Sequence, residues 1–64
     1  MGNYFLAHNN KQLGICLRML FAEDIQGDVE TVMNNKHRIE FHITANVDEQ
    51  LFVELNERYE TLIS

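Results

Sequence analysis

The chain has 64 residues, of which 10 are acidic and five are lysine or arginine, and its formal net charge at pH 7 is −5. A chain this short closes one hydrophobic core, so we expect a single small domain over residues 1–64 that gains stability from a partner or a second copy. The acidic balance disfavours nucleic acid as a partner, and no apolar run reaches the roughly 18 residues of a membrane span.

The first predicted elements are a short strand and a longer amphipathic segment. Residues 4–7 suit a first strand. Residues 11–25 carry apolar side chains at spacings that fit either a helix or a strand. Their Leu, Met, Ala, Gln, Lys and Arg content favours a helix, with Asn9 or Asn10 as its cap and Gly27 ending the pattern. Gly14 weakens this helix prediction, because glycine destabilises a helix interior by about 1 kcal/mol.

The middle of the chain predicts a β-hairpin with strands at 28–33 and 36–44. Ile39, Phe41 and Ile43 alternate with polar residues, which is the period of a strand with one buried face. The pair Asn34-Asn35 separates the two strands, and asparagine tolerates the left-handed backbone conformation that tight hairpin turns require.

The C-terminal segment predicts an amphipathic helix at about 47–63. Asn46 or Asp48 is the candidate N-cap, and acidic residues in the first turn suit the positive end of the helix dipole. The apolar residues recur at spacings of three and four, and they are Val47, Leu51, Phe52, Leu55, Tyr59, Leu62 and Ile63.

These elements predict an α+β domain of order β-α-β-β-α, with an antiparallel sheet and an amphipathic C-terminal helix. The alternative is a four-stranded antiparallel sheet followed by one helix. It is supported by the sequence similarity between residues 8–11 (His-Asn-Asn-Lys) and 33–36 (Met-Asn-Asn-Lys), which would fit two hairpins with turns of the same kind. The leading order is the ferredoxin-like order without its final strand. The first strand should then be an open edge, which favours a homodimer or pairing with a strand of a partner protein.

The residues that usually carry chemistry are sparse, so we expect no enzyme, no cofactor and no metal site. His37 and His42 lie five apart on a predicted strand and should point to opposite faces, so they cannot share a metal there. Whether His8 and His42 approach Cys16 depends on the fold. Cys16 falls on the apolar stripe of the helical interpretation, and Ser64 is the single serine of the chain.

Charge placement is the most informative feature of the sequence. Five acidic residues and one base, Arg58, give residues 47–64 a net charge of −4. Carboxylates on one helix face suit a basic protein surface, and such a face can also imitate nucleic acid. The predicted partner-binding residues are Asp48, Glu49, Glu54, Glu57 and Glu60.

The leading hypothesis is therefore a non-enzymatic, acidic, cytoplasmic protein-binding module that acts as an inhibitor or adaptor. In size, acidity and lack of catalytic motifs the chain resembles small accessory proteins of phages and mobile elements. That resemblance implies an anti-defence role, such as inhibition of a CRISPR nuclease or a restriction system. Two alternatives are a small homodimeric structural or regulatory subunit, and a nucleic-acid-binding regulator that uses Lys36, His37 and Arg38 at the hairpin.

Overall fold

The order of helices and strands confirms the predicted class. The computed structural model describes residues 3–64, which form a three-stranded antiparallel sheet and two helices. The segment that was ambiguous in the sequence is helical, which rules out the four-stranded alternative for this part of the chain. In chain order the elements are β1 (Tyr4–Ala7), α1 (Asn10–Ala22), β2 (Gly27–Met33), β3 (Ile39–Ala45) and α2 (Glu49–Ile63).

Helix α1 begins at a side-chain cap. The Oδ1 atom of Asn9 accepts a hydrogen bond from the backbone N–H of Gln12 at 2.8 Å, and the Gln12 side chain accepts from the N–H of His8 at 2.9 Å. The first bond satisfies a backbone donor that the first turn of a helix leaves free, and the second joins that turn to the residue before the N-cap. The similar segments 8–11 and 33–36 therefore do not form two similar hairpin turns, because the first of them starts a helix.

Helix α1 ends at Ala22, three residues before the end of the predicted segment 11–25. Asp24 adopts a left-handed conformation with φ of 60°. Its N–H donates to the carbonyl of Phe21 at 3.0 Å, and the N–H of Ile25 donates to the carbonyl of Leu20 at 2.9 Å. This is the Schellman arrangement that closes a helix C-terminus, with an aspartate at the position that glycine usually takes.

Gly14 offers a direct way to stabilise the fold. It lies inside α1, and a Cβ atom added there would have no neighbour within 4 Å. Because alanine loses less backbone entropy than glycine on forming a helix, we expect Gly14→Ala to raise the free energy of unfolding by about 0.5 to 1 kcal/mol. Urea denaturation measures this change as a higher midpoint, and an unchanged or lower midpoint would contradict it.

Strand β3 lies at the centre of the sheet, which has the order β1-β3-β2. Both pairings are antiparallel, and Ile43 lies opposite Phe5 on one side and Val29 on the other. The prediction that the first strand is an edge is confirmed. Strand β2 forms the second edge and is longer, with seven residues against four in β1.

The hairpin turn differs in detail from the prediction. Strand β3 begins at Ile39, so residues 36–38 belong to the turn and not to a strand. The left-handed residue is His37, with φ of 59°, and neither asparagine of the turn has a positive φ. Asn34 instead organises the turn through its side chain, whose Oδ1 accepts from the N–H groups of Lys36 at 2.8 Å and Arg38 at 3.0 Å.

Both helices pack on one face of the sheet, where they close the core. The ring of Phe5 on β1 contacts Phe52 and Tyr59 of α2, at centroid distances of 4.7 and 6.0 Å. The Tyr59 hydroxyl donates to the carbonyl of Leu6 at 2.7 Å, which links α2 to the edge strand. The fully or nearly buried residues are Phe5, Ala7, Cys16, Met19, Leu20, Ile43, Leu55 and Tyr59.

Candidate functional site

The outer side of α2 carries the carboxylates predicted to bind a partner. Leu55 and Tyr59 are buried against the sheet, so at 100° per residue the opposite side of the helix faces solvent. We call that exposed group of carboxylates the acidic face, and its members are Glu49, Glu54, Glu57 and Glu60.

Among residues 3–64, no cation lies within contact distance of the acidic face. Arg58, the one base on α2, turns away to helix α1, where its Nη1 lies 3.0 Å from Oε2 of Glu23. Within residues 3–64 the other contact between a carboxylate and a basic side chain joins Glu40 and His42, so neither contact involves the acidic face. Because opposite charges are not close enough to neutralise them, the carboxylates present a net negative surface to solvent.

Asp48, the fifth predicted partner-binding residue, has a structural role. Its Oδ1 accepts a hydrogen bond from the N–H of Leu51 at 2.8 Å, which makes it the N-cap of α2. An N-cap of this type stabilises a helix by about 1 kcal/mol. Asp48 is exposed, but its replacement would weaken the start of α2 as well as remove a charge.

The predicted basic residues Lys36, His37 and Arg38 are all exposed on the hairpin turn. Two of them, Lys36 and Arg38, line an open surface cavity of about 550 Å³. Glu40 lines the same cavity, and its pKa is lowered, first by the hydrogen bond from the Asn34 side chain and then by His42. A carboxylate that lines the same cavity and favours its charged form weakens this cavity as a phosphate site.

The opposite face of the sheet carries a small aromatic and ionic cluster that the sequence analysis did not identify. The rings of Tyr4 and His42 stack with a centroid distance of 4.0 Å and an interplanar angle of 10°. The Nε2 atom of His42 lies 3.5 Å from Oε1 of Glu40. The alternation of β3 places Glu40 and His42 on one face, but their approach to Tyr4 depends on the register between β1 and β3.

The single cysteine is not part of that cluster. Cys16 is buried on α1, on the helix side of the sheet, whereas His42 projects from the other side. Burial raises the pKa of the Cys16 thiol to about 11, which disfavours the thiolate that a nucleophile requires. Among residues 3–64, no group of three histidine, cysteine or carboxylate side chains is placed to hold a metal ion.

Comparison of the chain with protein-family models, with curated proteins and with solved structures finds no match. Over the part of the chain described, neither helix is long and apolar enough to cross a membrane. The surfaces described above are therefore the basis on which a function is assigned.

Proposed function

We propose that the protein is a non-enzymatic module that docks on a basic surface of a partner protein through the acidic face of α2. The observation that carries this proposal is that the face is exposed and that no cation from residues 3–64 lies at contact distance from it, since Arg58 pairs with Glu23. A basic partner would supply the missing positive charge, which favours encounter and fixes orientation.

The spacing of the carboxylates supports a partner that normally binds nucleic acid. Glu54, Glu57 and Glu60 follow one another at intervals of three residues, a rise of about 4.5 Å per step along the helix axis. The phosphates of one DNA strand rise about 3.4 Å per step along the duplex axis. Because each step also turns about 60° around the helix, the three carboxylates form a short spiral of negative charge, which can compete with nucleic acid for lysine and arginine side chains on a binding protein.

In its concrete form, the proposal is that the protein is encoded by a phage or mobile element and inhibits a host defence enzyme, either a CRISPR nuclease or a restriction system. Such enzymes bind nucleic acid through basic channels, so an acidic helix face that enters the channel would block it. The inhibitor would need no catalytic residue and no cofactor. It would act by occupying the basic surface.

The test is charge reversal on the acidic face. We expect Glu54→Lys, Glu57→Lys and Glu60→Lys, combined in one variant, to abolish capture of the partner from host lysate at low salt. The wild-type complex should also dissociate at high salt and in the presence of excess DNA duplex, because both compete for the same charges. Circular dichroism should show the same helix content for the variant, since the three side chains are exposed.

A matched control separates the effect of charge at the acidic face from the effect of the net charge of the whole protein. The double variants Glu57→Gln with Glu60→Gln, and Ala22→Lys with Gln26→Lys, change the net charge equally, but the second pair lies at exposed positions outside α2 and β2. Loss of capture in the α2 pair alone supports the proposal. Equal loss in both pairs, or binding that survives the triple reversal, would refute docking through this face.

A further inference from the structure

The second edge of the sheet carries an exposed apolar surface that the helices leave uncovered. Val29, Met33 and Ile39 are 44%, 63% and 53% exposed. Val29 lies opposite the buried Ile43, and Met33 lies opposite Ile39, so all three project from the helix side of the sheet. They extend the core face beyond the area that α1 and α2 cover.

The backbone along the same edge is also free to pair. Strand β2 is hydrogen-bonded to β3 on one side, and no strand of the described chain lies on its other side. An edge strand of seven residues with apolar side chains is a template for a further strand. The β1 edge, which the sequence analysis favoured, is a poorer template because it has four residues and α2 is bonded to it through Tyr59.

We propose that β2 pairs with β2 of a second copy of this chain, antiparallel and about a twofold axis at Thr31. The result is a continuous six-stranded sheet with the helices of both copies on one face. The acidic face of α2 lies on the solvent side of its helix and stays free, so this proposal does not depend on the proposed function.

The charges on β2 select this register. A twofold axis perpendicular to the sheet places one residue opposite its own copy, so each candidate register is defined by its central residue. An axis at Glu30 puts two glutamates opposite each other, and an axis at Val29 puts Asp28 opposite Glu30 of the second copy. Like charges directly opposite destabilise a strand pair. An axis at Val32 leaves only a short overlap within the strand.

The register centred on Thr31 avoids these conflicts and joins the exposed apolar side chains. Val29 then lies opposite Met33 of the second copy, and Glu30 lies opposite Val32. Across the new sheet, Ile39 and Met33 of one copy continue into Val29 and Ile43 of the other. The uncovered apolar residues thereby form an unbroken row that ends in the buried core of the second copy. Burial of this row on association supplies the hydrophobic contribution to the dimer.

The residue on the twofold axis provides a specific test. Thr31 is exposed and lies opposite Phe41 within its own sheet, so a charge there meets no charged neighbour on β3. In sedimentation equilibrium the wild-type chain should have the mass of a dimer. Thr31→Lys and Thr31→Glu should each raise the dimer dissociation constant about tenfold or more, because each places like charges opposite each other. An equimolar mixture of the two variants should restore the dimer.

Substitutions at an exposed residue of α2 serve as the control for those at Thr31. Val53 is 47% exposed on the outer side of α2, so Val53→Lys and Val53→Glu should leave the wild-type mass unchanged. A wild-type chain that is monomeric throughout the concentration series would overturn the proposal. A dimer that persists in Thr31→Lys would exclude this edge, and failure of the mixture to restore it would exclude this register.

Discussion

Tyr59→Ala is expected to unfold much of the protein at room temperature. Tyr59 is fully buried, its ring packs against Phe5, and its hydroxyl bonds to the carbonyl of Leu6 on β1. Truncation of a buried aromatic side chain to alanine destabilises a protein by about 3 to 5 kcal/mol. A domain of this length has a total stability of about 3 to 10 kcal/mol, so the loss removes most of it.

A second variant separates the ring of Tyr59 from its hydroxyl. Tyr59→Phe keeps the packing against Phe5 and removes the hydrogen bond to Leu6, so it should lower stability by only about 1 kcal/mol. Urea denaturation followed by circular dichroism measures both variants. If Tyr59→Ala were no less stable than Tyr59→Phe, the ring would not be the anchor between α2 and β1 that the geometry indicates.

The protein is also expected to lose stability steeply in alkaline solution. Burial raises the pKa of Cys16 from 9.0 to about 11. The pKa of Tyr59 rises from 10.0 to about 12, chiefly because of burial and secondly because of nearby charge on Cys16 and Glu60. Both side chains are fully buried, so the folded state strongly favours their neutral forms.

The direction of the pH effect follows from proton release on unfolding. In the unfolded chain Cys16 loses its proton near pH 9 and Tyr59 near pH 10, whereas in the folded chain both keep their protons to a higher pH. The free energy of unfolding therefore has its full value below pH 9, and it falls as the pH rises from 9 through the raised pKa values of the two buried groups. A shift of two pH units corresponds to about 2 to 3 kcal/mol for each group, which together approach the total stability.

Denaturation at a series of pH values tests this expectation. The free energy of unfolding should begin to fall near pH 9 in the wild-type chain, because Cys16 is the first of the two groups to titrate in the unfolded state. In Cys16→Ala the fall should begin about one pH unit higher, because Tyr59 then becomes the first of the two groups to lose its proton in the unfolded state. A stability that stays constant from pH 8 to pH 11, as rough limits of the scan, would contradict the assignment of both groups to the core.

The two proposed surfaces lie on different parts of the molecule. The acidic face is on the outer side of α2, and the proposed dimer contact runs along β2. A dimer would present two copies of the acidic face, which strengthens attachment to a partner with two basic sites by raising the effective concentration of the second contact. Reversal of charge on α2 should therefore remove partner binding in monomer and dimer alike, whereas substitution of Thr31 should remove self-association and only the added strength that a second acidic face supplies.

The elements that the sequence determined by itself are those specified by local patterns. Helix α2, the β2–β3 hairpin and the order β-α-β-β-α follow from apolar spacing, from the composition of α1 and from residues that cap or break an element. The pattern places the starts of α2 and β3 two and three residues too early, since they begin at Glu49 and Ile39. The exposure of Glu54, Glu57 and Glu60 follows from the same helical period. Each of these depends on residues within about two turns of one another, where chain geometry alone sets the neighbours.

Tertiary structure decided what depends on residues that are distant in the chain. Arg58 pairs with Glu23, 35 residues away, which leaves the acidic face without its expected counter-charge. Tyr4 stacks on His42 only because of the register between β1 and β3. The helices leave the β2 edge and the start of β3 uncovered, which exposes Val29, Met33 and Ile39. No periodicity encodes these contacts, since side chains separated by tens of residues meet only when packing fixes how the elements are placed.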